Sequence, residues 1–376
     1  MVQRKVRIYD AATVILLFRY FAFNSAILSL PNVVDKFLLF VGLAGYAWII
    51  INQEIRKKSF AVCVLLSSVT LYTSIQIKSW FILSTLLCII ATKSVHIKAF
   101  IALSKRILSL LLLLQTLLSV VLYVVGSSNY LYVILMGEVR FMFGMTHPNV
   151  LAAVLVNIIL VDVINIYDNG SIEKNIYFVI KTLFAYVLTK SSGLLVILAM
   201  AVVLVNLAKI KVPFIKNAIY HVAKYGSIVL MVGVFFTAKE YWNLGIDYLS
   251  YINNFVIRLK EGAYLLAHEG LTIWGNNAIS GVISWTADWR LNYVNIDNLY
   301  VMFMVTIGIG WFCIIEFGII QILKEKEDIL IPIFIIIWAA YGMTEVHAVN
   351  IFLFFPMIFF GMLFDNNESA REKYYG

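Results

Sequence analysis

The chain has 376 residues, of which 62% are hydrophobic and only 13% are charged, and its mean hydropathy is +0.91. A soluble domain carries about twice that charged fraction, so the composition excludes a soluble globular protein and predicts an integral membrane protein. The net charge is +8. Because the basic residues form short clusters between apolar stretches, this charge indicates membrane orientation and excludes a nucleic-acid-binding protein.

Apolar stretches recur along the whole chain. A membrane-spanning helix needs about 20 mostly apolar residues, and about twelve stretches approach that length. The predicted spans are 11–30, 36–52, 59–76, 79–92, 107–126, 149–166, 176–189, 192–208, 219–237, 298–323, 329–342 and 349–364. The sequence therefore predicts an all-α polytopic membrane protein, with residues 1–376 forming a single transmembrane domain of about 12 helices.

Charge asymmetry sets the predicted orientation. The N-terminal sequence MVQRKVRIYD precedes the first span and is not followed by a small-residue cleavage site, so we expect this first helix to stay attached. With the N-terminus inside, the inner segments hold more than twice as many Lys and Arg residues as the outer segments. This bias predicts a multi-pass protein of the cytoplasmic membrane with both termini in the cytoplasm.

Two outer segments are longer than the other connections, namely 127–148 and 238–297. The second contains apolar residues at three- and four-residue steps, which predicts an amphipathic helix at the outer interface. These residues are Tyr248, Ile252, Phe255, Leu259, Ala263 and Leu266. The same loop carries Trp242, Trp274, Trp285 and Trp289, which suit an interfacial aromatic belt.

The densest polar cluster on the outer side is RFMFGMTHPN, residues 140–149. Arg140 offers a planar fork of donors that fits phosphate oxygens. His147 can exchange a proton near neutral pH, and Pro148 suits the first turn of a helix. The alternative is an interfacial arginine beside a histidine in an ordinary loop.

Other polar residues are predicted on the same side. They are Lys190, Arg258, Arg290, Asp297, Glu345 and His347. The arginines and the lysine can bind anions, and the carboxylates and His347 can accept a proton. Each also has a plainer reading, because Asp297 can cap a helix and the turn MTEVHAVN at 343–350 can be a polar connection.

No Walker loop, dinucleotide fingerprint or HExxH helix occurs in the sequence, so we expect no cofactor and no metal. Arginines and histidines gathered on the outer leaflet favour an anionic, lipid-linked substrate.

The polar motifs, taken in order, resemble those of Wzy-type polysaccharide polymerases of capsule and exopolysaccharide clusters, in the O-antigen polymerase and ligase superfamily. RFMFGMTHPN resembles their Arg-x(3)-Gly-Phe-x-His-Pro-Asn segment, and IWGNN stands where family members have a Phe-Gly pair. NIDNLY resembles an Asp-Asn-Ser-Tyr segment, and Thr344 with Glu345 resembles a Thr-Glu turn, with Asn350 beyond it. One turn departs from the family: TKSSG at 189–193 has Lys190 where Ser-Arg-Thr is common.

The resemblance implies a metal-independent, GT-C-like membrane glycosyltransferase. Such enzymes join undecaprenyl-pyrophosphate-linked oligosaccharide repeats at the outer membrane face, within membrane lipid and beside a flippase and a chain-length regulator. His147 is then the first candidate for the catalytic base and Glu345 the second. Arg140, Arg258 and Arg290 would bind substrate, together with Lys190, Asp297 and His347.

Two other functions fit a protein with this many predicted spans. An O-antigen ligase would transfer a finished polymer to a different acceptor. A secondary transporter or a lipid-oligosaccharide flippase would place coupling charges near the bilayer midplane, often in broken helices or inverted repeats. The predicted spans are nearly free of charge apart from Arg19 and Glu316, which favours the polymerase.

Overall fold

The computed structural model describes residues 2–53, 57–94, 97–127, 129–135, 137–210, 212–244, 253–277, 281–282, 293–294, 296–324 and 328–364. Most of these residues are helical, as the sequence predicts. Five helical stretches within the described chain are long and apolar enough to cross a membrane: Asn32–Ile51, Ile97–Val124, Pro148–Asn169, Ser192–Lys209 and Pro213–Glu240. Several other apolar helices are shorter. The structure is therefore that of a mostly helical, membrane-embedded protein.

The helices run in chain order. They are α1 Val2–Phe23, α2 Asn32–Ile51, α3 Lys57–Gln76, α4 Phe81–Ala91, α5 Ile97–Val124, α6 Pro148–Leu160, α7 Asp162–Asn169, α8 Ile172–Thr189, α9 Ser192–Lys209, α10 Pro213–Leu244, α11 Asn253–Glu269, α12 Leu299–Met302, α13 Ile309–Leu323 and α14 Leu330–Gly342. The strands β1 Tyr132–Leu135 and β2 Glu138–Phe141 form one antiparallel hairpin, and β3 Gly281–Val282 pairs with β4 Tyr293–Val294. Short 3₁₀ segments cover Thr92–Ser94, Val346–Val349 and Phe355–Phe364, and a π turn covers Phe303–Ile307.

The chain divides into two compact units. Unit 1 comprises Met1–Arg56, Leu87–Ile215 and Asn350–Gly376, and unit 2 comprises Lys57–Leu86 and Lys216–Val349. In unit 1, α1 packs against α2 and α5, and α6 packs against α8 and α9. In unit 2, the π turn packs against α11, α12 and α13.

Side-chain hydroxyls join helices inside the apolar core of unit 1. The buried Tyr9 hydroxyl lies 2.8 Å from the Thr92 hydroxyl, and Thr13 lies 2.9 Å from the Tyr46 hydroxyl. These groups satisfy one another where no water is available, since an unpaired polar group in an apolar interior is costly. Serine side chains cap α8 and α9 at Ser171 and Ser191.

Helix boundaries differ from several of the predicted spans, most clearly in α1, in the span 298–323 and in α10. Helix α1 ends at Phe23, because the next residues pair with a distant segment instead of continuing the helix. The predicted span 298–323 is interrupted by the π turn and by Gly308, whose φ is +112°. Helix α10 continues through Leu244, into the predicted outer loop. Apolar composition alone does not show where a helix breaks.

Helix α11 lies inside the predicted outer loop 238–297, where the sequence predicts an amphipathic helix. Ala263 is buried on this helix, whereas Tyr248 and Ile252 lie outside the described residues, as do Trp285 and Trp289. The position of α11 at the outer interface stays a prediction.

Candidate functional site

Arg140 is held in the β1–β2 hairpin of unit 1. Arg140 pairs with Val133 on the neighbouring strand, and its Nη2 donates a hydrogen bond to Glu138 Oε2 at 3.2 Å. The Arg140 side chain is only 16% exposed, whereas that of Glu138 is 55% exposed. The buried Nε of Arg140 has no hydrogen-bond partner among the described residues. A buried donor without a partner is costly, so this guanidinium is suited to donate a hydrogen bond to an anionic oxygen.

The segment after the hairpin is fixed by backbone hydrogen bonds. The Gly144 nitrogen donates to the Tyr130 carbonyl at 2.7 Å, and the Ala26 nitrogen donates to the Gly144 carbonyl at 2.8 Å. The Thr146 nitrogen donates to the Asn24 carbonyl at 3.0 Å. These bonds explain why α1 stops at Phe23: residues 24–26 form the partner of the motif RFMFGMTHPN.

Only glycine fits at position 144. Its φ is +79°, a region that L side chains rarely adopt, and an added Cβ would lie 2.6 Å from Ile27 Cδ1 and 2.8 Å from Gln115 Cγ. The glycine of the motif is thus explained by local geometry. It lets the chain pass close to α5 before His147.

His147 caps helix α6. Its Nδ1 accepts a hydrogen bond from the Asn149 backbone nitrogen at 3.2 Å, and Pro148 is the first helical residue, as the sequence predicts. A neutral ring that accepts at Nδ1 carries its proton on Nε2, so that atom is a donor. To serve as a base at Nε2, the ring would have to abandon this cap. The capping geometry favours His147 as a donor to an anionic oxygen.

Lys190 lies between α8 and α9 in unit 1. It adopts a left-handed conformation with φ +53°, its backbone nitrogen donates to the Tyr186 carbonyl at 2.6 Å, and its Nζ lies 5.9 Å from the centre of the Tyr186 ring. Helix α8 also packs against β2, the strand that carries Arg140. Unit 1 therefore holds Arg140, His147 and Lys190 on neighbouring elements.

Gln115 was not among the residues predicted from the sequence. It lies on α5, is 2% exposed, and neither its amide nitrogen nor its amide oxygen has a hydrogen-bond partner among the described residues. Its side chain lies directly against Gly144. The available signal was a lone amide in the leucine-rich run LSLLLLLQTLL, since polar residues inside membrane spans are often functional.

In unit 2, Asn298 joins the start of α12 to the turn after α14. Its Oδ1 accepts from the backbone nitrogens of Tyr300 and Val301 at 2.9 and 3.2 Å, and its Nδ2 donates to the Met343 carbonyl at 3.1 Å. The Tyr300 hydroxyl adds a bond of 2.8 Å to the Ala339 carbonyl. Asn298 is therefore the residue that caps α12, the role that the sequence left open for its neighbour Asp297.

These bonds bring Asp297 beside the turn that carries Glu345 and His347. Glu345 is buried, with 8% of its surface exposed. Burial lowers the pKa of His347, and the negative charge of Asp297 acts in the opposite direction. Three of the predicted polar residues thus share one region of unit 2.

The remaining two predicted site residues are less well defined. Arg258 lies on α11, one helical turn before Gly262, where an added Cβ would lie 2.8 Å from Val301 Cγ2. Helix α11 is thus packed directly against α12. Arg290 lies outside the described residues.

The loop containing IWGNN fills the helix break at Gly308. The Thr272 nitrogen donates to the Met304 carbonyl at 2.8 Å, the Ile309 nitrogen to the Thr272 carbonyl at 2.9 Å, and the Asn276 nitrogen to the Thr306 carbonyl at 2.8 Å. The Thr73 hydroxyl donates to the Trp274 carbonyl at 2.6 Å. Thr73, Gly308 and Gly310 were not predicted as site residues, because their role depends on which distant segment they contact.

Among the described residues, no group of three or more His, Cys, Asp or Glu side chains could hold a metal ion. Arg140, His147 and Lys190 belong to unit 1, and Asp297, Glu345, His347 and the helix of Arg258 belong to unit 2. Comparison with protein-family models, with curated proteins and with solved structures found no match for the chain.

Proposed function

We propose that this chain is a membrane glycosyltransferase that joins undecaprenyl-pyrophosphate-linked oligosaccharide repeats into a capsular or exopolysaccharide. In this proposal residues 1–376 form one transmembrane domain of about 12 helices in the cytoplasmic membrane. Both termini are cytoplasmic, and the segments 127–148 and 238–297 face outward. The ordered set of motifs supports this function, and the distribution of Lys and Arg supports the orientation.

The observation that carries the proposal is the environment of Arg140. The guanidinium is mostly buried and is held on a hairpin, it has only one exposed carboxylate as partner, and its Nε is left without a bond among the described residues. A purely structural arginine would be expected to have its donors satisfied. A pyrophosphate oxygen would satisfy Nε and would gain charge as the reaction proceeds, which is where a fixed cation is most effective.

The reaction assigns a role to each group. A hydroxyl oxygen of the acceptor repeat forms a bond to the anomeric carbon of the donor chain, while the bond from that carbon to the lipid pyrophosphate breaks and the pyrophosphate leaves with the electron pair. Arg140 and Lys190 of unit 1 stabilise the departing charge, and Arg258 and Arg290 remain further candidates for that role. His147, as the cap of α6, donates a hydrogen bond through Nε2 to an anionic oxygen of the pyrophosphate. Glu345 accepts the hydroxyl proton, which reverses the order of the two base candidates taken from the sequence.

One observation favours the transporter alternative, and a second limits it. The helix break at Gly308 resembles the discontinuous helices of secondary transporters, whose free backbone groups bind substrate or ions. Here the backbone groups at the break are paired with residues 272–276 of the same unit. A break that is already filled by protein supports a scaffold role more than an ion site. The ligase alternative differs only in its acceptor.

Purified protein in bilayers, supplied with lipid-linked repeats, tests the proposed function directly. We expect the wild type to form polymer, Glu345→Gln to lose about 10²–10⁴-fold in rate, and His147→Ala to lose less. His147→Asn keeps a capping side chain and should recover part of that loss. Glu173→Gln, which removes an exposed carboxylate at the start of α8, is the matched control and should retain full activity.

The outcomes separate the claims. If the wild type fails to join repeats but transports the lipid-linked repeat across the bilayer, the chain is a flippase and not a polymerase. If His147→Ala and His147→Asn are both inactive while Glu345→Gln is active, His147 is the base and Glu345 is not.

A further inference from the structure

Unit 1 has a second polar region, separate from the elements that carry Arg140, His147 and Lys190. A cavity of about 650 Å³ opens between α5 and the α6–α7 segment. This volume is within the usual range for small-molecule sites. The predicted orientation places it at the inner side of the membrane, on the face opposite the proposed reaction.

Two helical faces form the walls of this cavity. Lys98, Ala102 and Lys105 lie at three- and four-residue steps along α5, with Arg106 beside them. The opposite wall carries Asp168 one turn after Ile164. Because both walls follow the helical repeat, the cavity is a product of how the two helices pack, and its cations line one concave surface.

The balance of charge around the cavity is positive. Asp162 accepts from both Lys105 at 2.5 Å and Lys181 at 2.7 Å, so one carboxylate is shared by two ammonium groups. Arg106 is exposed and has no hydrogen-bond or ion-pair partner among the described residues. Three cations, Lys98, Lys105 and Arg106, line the cavity with one carboxylate, Asp168, and the Asp162–Lys181 pair adjoins it through Lys105. The site is suited to an anion.

The surface of α5 beyond the cavity indicates which anion. An exposed apolar stripe begins one turn after Arg106: Leu110 is 51% exposed, and Leu113 and Leu117 are each 56% exposed. One helical turn rises about 5.4 Å, so an anionic group held at Arg106 is followed directly by a lipid-facing surface. A free phosphate ion would use the cations alone, whereas a phospholipid would use both the cations and the stripe.

We propose that this cavity binds the phosphate headgroup of an anionic phospholipid of the inner leaflet, with its acyl chains along the leucine stripe of α5. Basic pockets between helices at the cytoplasmic side of membranes have the chemistry for such headgroups. Arg106 and Lys98 hold the phosphate, and Lys105 is oriented by Asp162. This site is independent of the polymerase proposed above, and its test does not use polymer formation.

Native mass spectrometry of the full chain tests the site by titration with phosphatidylglycerol and, separately, with phosphatidylcholine. We expect the wild type to retain phosphatidylglycerol preferentially, and Arg106→Gln to weaken that retention about fivefold, the usual contribution of one juxtamembrane basic residue. Arg7→Gln removes an exposed arginine from α1 on the same predicted side and should leave retention unchanged.

Two further arms complete the test. Ala102→Trp fills the cavity without changing charge, so it should lower retention while Arg7→Gln does not; the folded state of each variant is checked by its elution as a single species. Excess inorganic phosphate should not displace the lipid. Equal weakening by Arg7→Gln and Arg106→Gln, unchanged binding by Ala102→Trp, or displacement by inorganic phosphate would each overturn the proposal.

Discussion

The two segments with the most recognisable sequence, residues 142–147 in unit 1 and 271–277 in unit 2, are fixed in similar ways but carry different chemistry. Each one pairs its backbone with a segment that has left helical structure, residues 24–26 in the first case and the π turn with Gly308 in the second. The first leads from Arg140 to His147, two side chains suited to bind anions. Among residues 271–277 no side chain is charged.

The difference indicates that two segments whose backbones are fixed in similar ways have separate roles. Residues 142–147 place polar side chains, and Gly144 allows the close approach to α5 that this requires. Residues 271–277 satisfy the backbone of an interrupted helix, where unpaired polar groups would otherwise be costly in an apolar environment. Substitutions in the second segment should therefore change folding, and substitutions in the first should change activity as well.

The largest effect is expected for Gly308→Ala. An added Cβ would lie 2.2 Å from the Ile273 carbonyl oxygen, a backbone atom that cannot move without breaking the loop, and φ is +112°. We expect destabilisation of about 4 kcal/mol or more, and little folded protein. Gly233→Ala on α10 is the control, because nothing lies within 4 Å of its added Cβ. Thermal unfolding of the purified variants measures both; equal stability would show that the loop does not fill the break.

The next effect separates packing from backbone conformation in unit 1. Gly144 and Gly137 both have φ +79°, but only Gly144 has neighbours within 4 Å of an added Cβ. We expect Gly137→Ala to cost about 1 kcal/mol and Gly144→Ala about 3 kcal/mol, since the second adds a clash to the same conformational cost. Thermal unfolding gives the difference. If the two variants are equally stable, the contact with Gln115 and Ile27 is loose.

Arg140→Lys tests the chemical role of the arginine that precedes the first segment. It keeps the positive charge but loses the planar fork, so we expect the joining rate to fall about 10²-fold with folded protein retained. Glu138→Gln removes the carboxylate that competes for the same guanidinium, and it should leave the rate unchanged or raise it. Initial rates with lipid-linked repeats measure both variants. Full activity of Arg140→Lys would show that this residue only stabilises the hairpin.

The sequence anticipated the helices better than their interruptions. Apolar stretches located the helical regions, because a helix that is embedded in lipid must be mostly apolar along its length. The motif at 140–149 and the turn at 343–350 were found because charged residues are rare beside membrane spans. Gly308 and Thr73 were missed because their importance comes from contacts with residues far along the chain, which no local pattern contains. Gln115 was missed although a lone amide in a leucine-rich run is a local signal, because its contact with Gly144 is visible only in the fold.

The smallest effect concerns the two histidines of the comparison, the exposed His147 in unit 1 and His347 in unit 2. Burial lowers the pKa of His347 in the folded protein, so the unfolded chain takes up its proton first as the pH falls. The stabilisation is complete above the ordinary histidine pKa of about 6.5 and is lost progressively as the pH drops below it. We expect the midpoint of thermal unfolding to fall between pH 8 and pH 5, with His347 accounting for a part of that change. His347→Gln removes this part of the pH dependence, while His221→Gln, at an exposed position on α10, should preserve it.

Because Asp297 favours the protonated ring of His347, Asp297→Asn should make the loss of stability begin more steeply in the same pH range. Identical pH profiles for the wild type and His347→Gln would show that the ring remains well solvated and that the turn after α14 does not enclose it.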